Sequence, residues 1–287
     1  CDMTRLTSNL ITGMEKNIAA YDIELIQKTG LSLRQIAARA AGMPEEALYL
    51  AFGSERVAVI PVTAGQGVIE GFTQAVEGIN KHLGCPCFIT ENCDAAGLAE
   101  GIEKGATIVF LADDNRFIAI NLSQKRVIDN AEATGWSYAY ALDACANSLQ
   151  SQNVLLIGAG RVGENALCAL KKLGAKVGIF DIERAKAQLL ADKFKAKWEE
   201  NFSDALNQYT LFFDASPAPD IIHPEHIKPG TAIAACGIPI GLSEKARPLV
   251  EERLIHDPLQ LGTAAMLAMA VRHGLNDKSG GQIGRIA

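Results

Sequence analysis

The feature that most constrains the fold of this chain is the glycine motif Gly158-Ala159-Gly160-Arg161-Val162-Gly163. It follows an apolar, strand-like segment at residues 154–157 and opens an apolar helical pattern. In such a strand–turn–helix unit the first glycine allows the tight turn, the second lets the backbone approach a diphosphate, and the third lets helix and strand pack closely. The motif in this context predicts a Rossmann dinucleotide-binding domain, with the diphosphate at the positively polarised amino end of the helix.

The second strand of that domain, predicted at residues 176–180, is followed by Asp181. An acidic side chain about 20 residues beyond the glycines accepts hydrogen bonds from the ribose hydroxyls, and it repels the additional phosphate of NADP. The predicted cofactor is therefore NAD. Arg184 is the opposing feature, because a nearby arginine accommodates that phosphate in NADP-binding domains. A Rossmann-like domain that keeps its glycines only for the turns is the alternative interpretation.

Further cofactor contacts are expected where other strands of this domain end, because open α/β sheets bind ligands outside the carboxyl ends of their strands. Strands are predicted near residues 210–213, 231–235 and 253–255, and a final helix at residues 262–273. The candidate contacts in these loops and at the start of that helix are Ala215, Ser216, Pro217, Gly237, Ile238, Pro239, Gly262 and Thr263. Each of these segments is equally compatible with an ordinary strand-to-helix turn.

The N-terminal half begins with three helical patterns and then alternates strands and helices. The predicted helices are residues 7–26, 32–41, 44–51, 68–83 and 95–104, and the predicted strands are residues 56–63, 88–90, 106–112, 117–122 and 125–128. This order predicts a parallel sheet covered by helices, with the last two strands added as a hairpin. A helix at residues 133–149 connects the halves. The predicted fold class is α/β, with an N-terminal helical plus small parallel α/β domain (residues 1–131) followed by a C-terminal Rossmann domain (residues 132–287).

Composition and charge exclude several classes of protein. Hydrophobic residues make up 48% of the 287 residues and charged residues 21%, which is typical of a globular rather than a disordered chain. The net charge is -6 and there is no basic stripe, so no nucleic-acid partner is expected. No apolar run is long enough to span a bilayer, and the start of the chain lacks a signal-peptide pattern. We therefore expect a cytoplasmic protein without a membrane partner.

The seven cysteines predict buried, reduced thiols, because most of them fall in apparent core segments. The exception is Cys85-Pro86-Cys87, with Cys93 close by. A zinc site would need a fourth ligand at suitable spacing, and His82 is the only nearby candidate. The sequence therefore predicts no metal site.

Two adjacent carboxylates, Asp113 and Asp114, end a predicted buried strand, where open α/β sheets place ligand-binding groups. The segment Gly65-Gln66-Gly67 follows another strand and offers backbone N–H groups to a substrate carboxylate. Asp113-Asp114-Asn115 is equally typical of a turn before a hairpin. The residues alone leave a substrate site and a plain turn as equal alternatives.

Several segments resemble the family of pyrrolysine biosynthesis protein PylD. They are Val-Ile-Pro-Val-Thr-Ala-Gly-Gln-Gly at 59–67, Ala-Asp-Asp-Asn-Arg-Phe at 112–117, the glycine motif, and Pro-Leu-Gln-Leu-Gly-Thr-Ala-Ala-Met-Leu at 258–267. The resemblance spans the whole chain apart from its two ends. It implies that NAD oxidises the terminal amine of N-epsilon-(3-methyl-D-ornithyl)-L-lysine. The imine then becomes an aldehyde and the ring closes with the second amine, which yields pyrrolysine with release of ammonia and water.

The resemblance also implies roles for individual residues. A carboxylate that handles the water or amine proton falls on Asp113, which is thus the candidate catalytic residue. The implied substrate contacts are Phe72, Asn130 and Leu6, the last of them on a mobile first helix. A serine of the family's strand-end loop is replaced by Ala64 here, so its hydroxyl contact is lost or supplied by water.

Other functions remain open from the sequence. One alternative is an oxidoreductase like shikimate dehydrogenase or methylene-tetrahydrofolate dehydrogenase, although their lysine–aspartate pairing is not found, since Lys81, Lys104 and Lys125 are poorly placed. Another is a non-enzymatic NAD-sensing protein. A homodimer through apolar residues of the hairpin also remains open, but the same residues are equally suited to the core.

Overall fold

Two β-sheets with flanking helices make up residues 11–272, the part of the chain that the computed structural model describes. The fold is α/β, as the sequence predicts. The helices are α1 Met14–Thr29, α2 Leu33–Ala41, α3 Glu45–Ser54, α4 Phe72–His82, α5 Asp94–Glu103, α6 Asn130–Cys145, α7 Arg161–Lys172, α8 Arg184–Phe194, α9 Phe202–Gln208, α10 Arg247–Val250 and α11 Gln260–Val271. The strands are β1 Val57–Ile60, β2 Cys87–Ile89, β3 Ile108–Ala112, β4 Phe117–Asn121, β5 Arg126–Asp129, β6 Asn153–Ile157, β7 Lys176–Phe180, β8 Lys197–Trp198, β9 Leu211–Asp214, β10 Ala232–Ala235 and β11 Leu254–Ile255.

The first sheet has five strands in the order β2-β1-β3-β4-β5. Strand β1 pairs in parallel with both of its neighbours, whereas β4 and β5 are antiparallel. All four residues of β1 are buried, as expected for a strand covered on both faces. The parallel sheet with an added hairpin is therefore confirmed. Phe117, at the start of the hairpin, is buried against Phe72 and Phe110, so it belongs to the core.

The second sheet is parallel throughout and has six strands in the order β11-β10-β9-β6-β7-β8. Read from β8, this is the Rossmann order 3-2-1-4-5-6, and the direction of winding reverses between β6 and β9. Ligands of such sheets bind at that reversal, outside the carboxyl ends of the strands. Among the strands of residues 11–272, β8 is the one that the sequence analysis did not predict; it is two residues long and lies at the edge of the sheet.

The helix bounds agree with the expected ones only in part, since α6, for example, covers Asn130–Cys145 rather than residues 133–149. Helix α1 ends at Thr29, and Gly30 takes the left-handed conformation, as the pair Thr29-Gly30 predicts for the end of this helix. Helix α4 begins at Phe72 rather than at residue 68. Its N-cap is Gly71, whose φ of 84° is left-handed and therefore incompatible with a helix that starts earlier. The residues between β1 and α4 form turns instead.

The last helix, α11, joins the two halves of the molecule. All of its residues are buried, and it packs against α2, α4 and the hairpin of the first sheet as well as against α6. A helix that is apolar on every face is stable only when it is enclosed on every face. Helix α6 in turn packs closely on α7, where a Cβ at Gly135 would lie 2.6 Å from the backbone nitrogen of Ala166. These helix contacts hold the two halves of the molecule together.

Candidate functional site

The glycine loop after β6 has the shape that the motif predicts. Gly158 has a φ of 98°, and a Cβ there would lie 3.0 Å from the backbone of Ala215. A Cβ at Gly163 would lie 2.0 Å from the carbonyl oxygen of Gly158. At Gly160, by contrast, no heavy atom of the described residues lies within 4 Å of the Cβ position. Two glycines are thus required for packing and the middle one leaves open space, which fits a diphosphate approaching the backbone.

Helix α7 starts at this opening. Its N-cap, Gly160, provides no side-chain cap, so the first backbone N–H groups of the helix are not satisfied by a capping side chain. Arg161 is the first helical residue and its side chain is 54% exposed. Val162 follows, half-buried at the start of the helix. These first amides and the guanidinium together favour an anion at this end of the helix.

Asp181 lies beside the glycine loop. Its Oδ2 accepts a hydrogen bond from the Ala159 N–H at 2.7 Å, and its Oδ1 accepts one from the Glu183 N–H at 2.7 Å. A carboxylate has further lone pairs for ribose hydroxyls. Arg184 pairs with Glu200, with 3.6 Å between Nη1 and Oε1, and both side chains are exposed, so this ion pair is weak. Asp181 therefore lies beside the glycine loop, where its spacing along the chain predicts it.

Asp214, which no sequence motif singled out, organises the loops that carry the predicted cofactor contacts. Its Oδ1 accepts hydrogen bonds from the Ser216 N–H (3.0 Å) and hydroxyl (2.7 Å), and its Oδ2 accepts one from the Gly241 N–H (3.1 Å). Its carbonyl oxygen accepts the Gly237 N–H at 3.3 Å. Burial raises the pKa of Asp214 despite these donors. The only signal in the sequence was a carboxylate ending an apolar strand.

The predicted cofactor residues of these loops lie around Asp214. A Cβ at Gly237 would overlap the carbonyl oxygen of Ser216, so the two loops are in direct contact. Ala215, Ser216 and Ile238 are half-buried, whereas Pro217 and Pro239 are exposed. The structure therefore brings the loops after β6, β9 and β10 together at one end of the sheet.

Asp113 adopts the turn that the sequence allows. Its Oδ1 accepts hydrogen bonds from the N–H groups of Asn115 (2.8 Å) and Arg116 (2.7 Å). Its Oδ2 has no hydrogen-bond partner among residues 11–272, and the side chain is exposed. The turn therefore occupies one carboxylate oxygen, whereas the other makes no hydrogen bond within residues 11–272.

Asp114 joins this turn to the loop after β1. Its Oδ2 accepts the Gln66 N–H at 2.8 Å, so that amide is not directed to a substrate carboxylate as expected. A Cβ at Gly65 would overlap the same oxygen. Ala64 is exposed in this loop. Phe72 lies beyond it and packs edge-on against Phe117, with 5.2 Å between ring centroids.

Asn130 and the start of α11 are in contact. A Cβ at Gly262 would lie 2.7 Å from Asn130 Oδ1, which also accepts a hydrogen bond from the Thr134 hydroxyl at 3.2 Å. The next residue, Thr263, is fully buried, and its hydroxyl has no hydrogen-bond partner among the described residues. The structure thus places a predicted substrate residue against a predicted cofactor residue.

A second feature missed from the sequence is an ion cluster between the two halves. Asp129 Oδ2 accepts hydrogen bonds from Arg116, at 3.0 Å from Nε and 2.9 Å from Nη2, and from Arg161 Nη2 at 2.6 Å. Arg116 belongs to the turn of Asp113, and Arg161 belongs to the glycine motif. This carboxylate thereby links the candidate substrate and cofactor regions.

Helix α1 is docked against the loop that precedes α11. The Tyr21 hydroxyl donates to Asp257 Oδ2 at 2.8 Å, and Lys28 Nζ donates to the Leu254 carbonyl at 3.0 Å. Asp257 Oδ1 also accepts the N–H groups of Leu259 and Leu261 before and within α11. Burial raises the pKa of Asp257. Leu6, the implied contact on the first helix, lies outside the described residues.

Two further features lie away from this region. A cavity of about 710 Å³ borders the end of α1 and includes Cys145 and Arg253, but none of the predicted site residues. Burial raises the pKa of Cys85 and of Cys87 to about 12, which makes both thiols poor nucleophiles.

Within residues 11–272, no group of His, Cys, Asp or Glu is arranged to hold a metal ion, and no helix is long and apolar enough to cross a membrane.

Comparison with known proteins divides the chain in the same way as its two sheets. Residues 11–128 match the family model for the N-terminal domain of pyrrolysine biosynthesis protein PylD, and residues 141–234 match that for shikimate / quinate 5-dehydrogenase. The chain is 30% identical over 271 residues to the pyrrolysine synthase of Methanosarcina barkeri, covering 92% of this chain and 97% of the relative.

Two other relatives agree with this comparison. The chain is 27% identical to the pyrrolysine synthase of Methanosarcina acetivorans, covering 92% and 98% of the two chains. The solved structure of quinate dehydrogenase from Corynebacterium glutamicum in complex with NAD aligns with a TM-score of 0.52 at 13% identity, covering 76% of this chain and 93% of that one. This last similarity is one of fold.

Proposed function

Since this chain belongs to the family of pyrrolysine biosynthesis protein PylD, we propose that it is an NAD-dependent amine-oxidising dehydrogenase that forms pyrrolysine. Its substrate would be N-epsilon-(3-methyl-D-ornithyl)-L-lysine, a small isopeptide. The observation that supports this proposal best is the open face of Gly160 at the amino end of α7, with Asp181 beside it. A nicotinamide dinucleotide fits those residues.

The overall reaction balances with one dinucleotide per substrate molecule. The carbon that bears the terminal amine loses a hydride and the amine becomes an imine. Hydrolysis of the imine consumes one water and releases ammonia, and condensation of the aldehyde with the second amine returns that water and closes the ring. The net products are pyrrolysine, ammonia, the reduced dinucleotide and one proton, and no water is consumed or released overall.

Residues of the second sheet would hold the cofactor. NAD would supply the hydride acceptor when bound. The glycine loop and the first amides of α7 bind its diphosphate, and Asp181 accepts hydrogen bonds from the adenosine ribose. Asp214 holds the loops of Ser216 and Gly237 beside the glycine loop, since a Cβ at Gly158 would lie 3.0 Å from the backbone of Ala215. We accordingly assign residues 132–287 to cofactor binding and residues 1–131 to substrate binding.

Asp113 is the proposed catalytic carboxylate. Hydrogen bonds within its turn hold Oδ1, so the orientation of the side chain is set before substrate binds. Oδ2 then accepts the proton that the amine or water gives up, and its charge stabilises the positive charge that develops at the oxidised carbon. Phe72 and Asn130 are the proposed substrate contacts. Ala64 offers no hydroxyl, so we propose that a water molecule takes the place of the family serine.

The test is turnover by the full chain with NAD and the isopeptide, followed by NADH absorbance and by mass spectrometry of the product. We expect one NADH and one ammonia per pyrrolysine. Asp113→Asn should lower kcat about 100-fold while NADH still binds, because a positioned acid or base contributes a factor of that order. Asp204→Asn, on an exposed face of α9, is the matched control. Reduction of NAD with shikimate or quinate but not with the isopeptide would contradict the proposal.

A further inference from the structure

The ion cluster of Asp129 is built around a single oxygen. Asp129 Oδ2 accepts all the hydrogen bonds from Arg116 and Arg161, whereas Oδ1 caps α6 through the Ala131 N–H at 2.9 Å. The Asp129 side chain is 15% exposed, and the two guanidiniums are 53% and 54% exposed. Burial raises the pKa of Asp129, but the hydrogen bonds from Ala131 and both arginines outweigh burial and keep that pKa below its usual value. The carboxylate is therefore charged at neutral pH.

The two arginines have different surroundings. Arg161 directly follows the open Gly160, so its guanidinium lies at the end of the helix where a diphosphate is expected. Arg116 closes the turn of Asp113, since its N–H donates to Asp113 Oδ1 and its carbonyl accepts the Asp113 N–H at 2.9 Å. One carboxylate thus holds a cofactor residue and the turn of the catalytic candidate at the same time.

We infer that Asp129 is a positioning residue that couples dinucleotide binding to substrate binding. This inference rests on the proposed function, because it needs a diphosphate at the glycine loop. The diphosphate competes with Asp129 for Arg161, since both are anionic and charge-assisted pairs are the stronger hydrogen bonds of the guanidinium. Once Arg161 binds the diphosphate, Asp129 accepts hydrogen bonds from Arg116 alone. The turn of Asp113 is then held more firmly, so cofactor binding prepares the substrate site.

The first test needs no substitution. The affinity of the wild-type chain for the isopeptide is measured by calorimetry with and without saturating NADH, which cannot be turned over with this substrate. We expect NADH to raise that affinity about threefold, the size of a partly exposed ion pair. Equal affinities in both titrations would overturn the coupling.

The second test is Asp129→Asn, which keeps the shape of the side chain and an oxygen for the cap of α6 but removes the charge. NADH, measured by its own fluorescence, should bind about threefold more tightly because its competitor for Arg161 is gone. The isopeptide should bind more weakly, and NADH should no longer affect its affinity. General damage to the fold would weaken both ligands, so the opposite signs distinguish a positioning role from a structural one.

Arg161→Gln is the variant in which the effect of Asp129→Asn is measured a second time, without the arginine. It should weaken NADH binding about tenfold, and adding Asp129→Asn to it should change NADH affinity no further, because the competition acts through Arg161. Asp129→Asn that leaves NADH affinity unchanged or lowers it would overturn the inference while the proposed function stands. A wild-type chain that does not bind NADH would instead remove the proposed function.

Discussion

Paired substitutions in the glycine motif separate a binding role from a packing role. Gly160→Ala adds a methyl group where no heavy atom of residues 11–272 lies within 4 Å, at a backbone conformation (φ -78°, ψ -170°) that alanine adopts freely. Gly163→Ala adds the same group 2.0 Å from the Gly158 carbonyl oxygen, at a distance that no real contact has. The two variants therefore add the same methyl group, in one case to open space and in the other to a closely packed contact.

The expected magnitudes differ accordingly. For Gly160→Ala, a poorer N-cap residue costs a few tenths of a kcal/mol to ~1 kcal/mol, and the lower entropy of the unfolded chain offsets a similar amount, so stability should hardly change. Its affinity for NADH should fall at least about tenfold, because the methyl group fills the space of the diphosphate. Gly163→Ala should lower the free energy of unfolding by about 2–4 kcal/mol, since strand and helix must separate.

Thermal unfolding without ligand and fluorescence titration with NADH provide the two measurements. Gly163→Ala should lower the Tm by about 4 °C or more, while Gly160→Ala should keep the wild-type Tm. Wild-type NADH affinity in Gly160→Ala would refute the placement of the diphosphate against that glycine. An unchanged Tm in Gly163→Ala would refute the close contact inferred between helix α7 and the loop.

Three further results are expected. Asp181→Ala should weaken NADH binding about tenfold in calorimetric titration, and unchanged affinity would remove that residue from the ribose site. Burial raises the pKa of Asp214, so the folded state binds its proton more tightly than the unfolded state. Stability should therefore fall as the pH rises through the ordinary carboxyl pKa of about 4 toward the folded value, and Asp214→Asn should reduce this loss in urea unfolding. Tyr21→Phe removes a hydrogen bond to the buried Asp257 and should lower the free energy of unfolding by about 1–3 kcal/mol in the same assay. The control Tyr49→Phe, at a side chain that is 55% exposed, should change it little.

The candidate site lies between two sheets, and both a carboxylate and a helix are among the elements that connect them. Helix α11 carries Gly262 and Thr263 against Asn130, while Asp129 pairs with arginines from both halves. Substrate and dinucleotide would therefore meet at a place where residues of the two halves contact each other. A substitution at this junction should change the affinity for both ligands.

The local features of this chain follow from the sequence alone. The glycine motif predicted the turn after β6, the start of α7 and the open face at Gly160, because each depends on backbone conformation and on neighbours a few residues away. The apolar strands and their parallel arrangement were predicted for the same reason, since burial on both faces leaves a continuous apolar run. The position of Asp181 beside the glycine loop also followed from its spacing along the chain.

Contacts between residues far apart in the chain, by contrast, became visible only in the folded structure. Tyr21 and Asp257 are 236 positions apart, and Arg161 lies 32 positions from Asp129. No periodicity or motif links such residues, because their contact depends on how the two sheets and α11 pack together. The same holds for Asp214, which as a single carboxylate at a strand end gives no sign of the loops that it will hold. Hydrogen bonds between distant segments form only once the packing of apolar surfaces has brought those segments together. No local pattern in the sequence therefore predicts these bonds, although the sequence determines the packing.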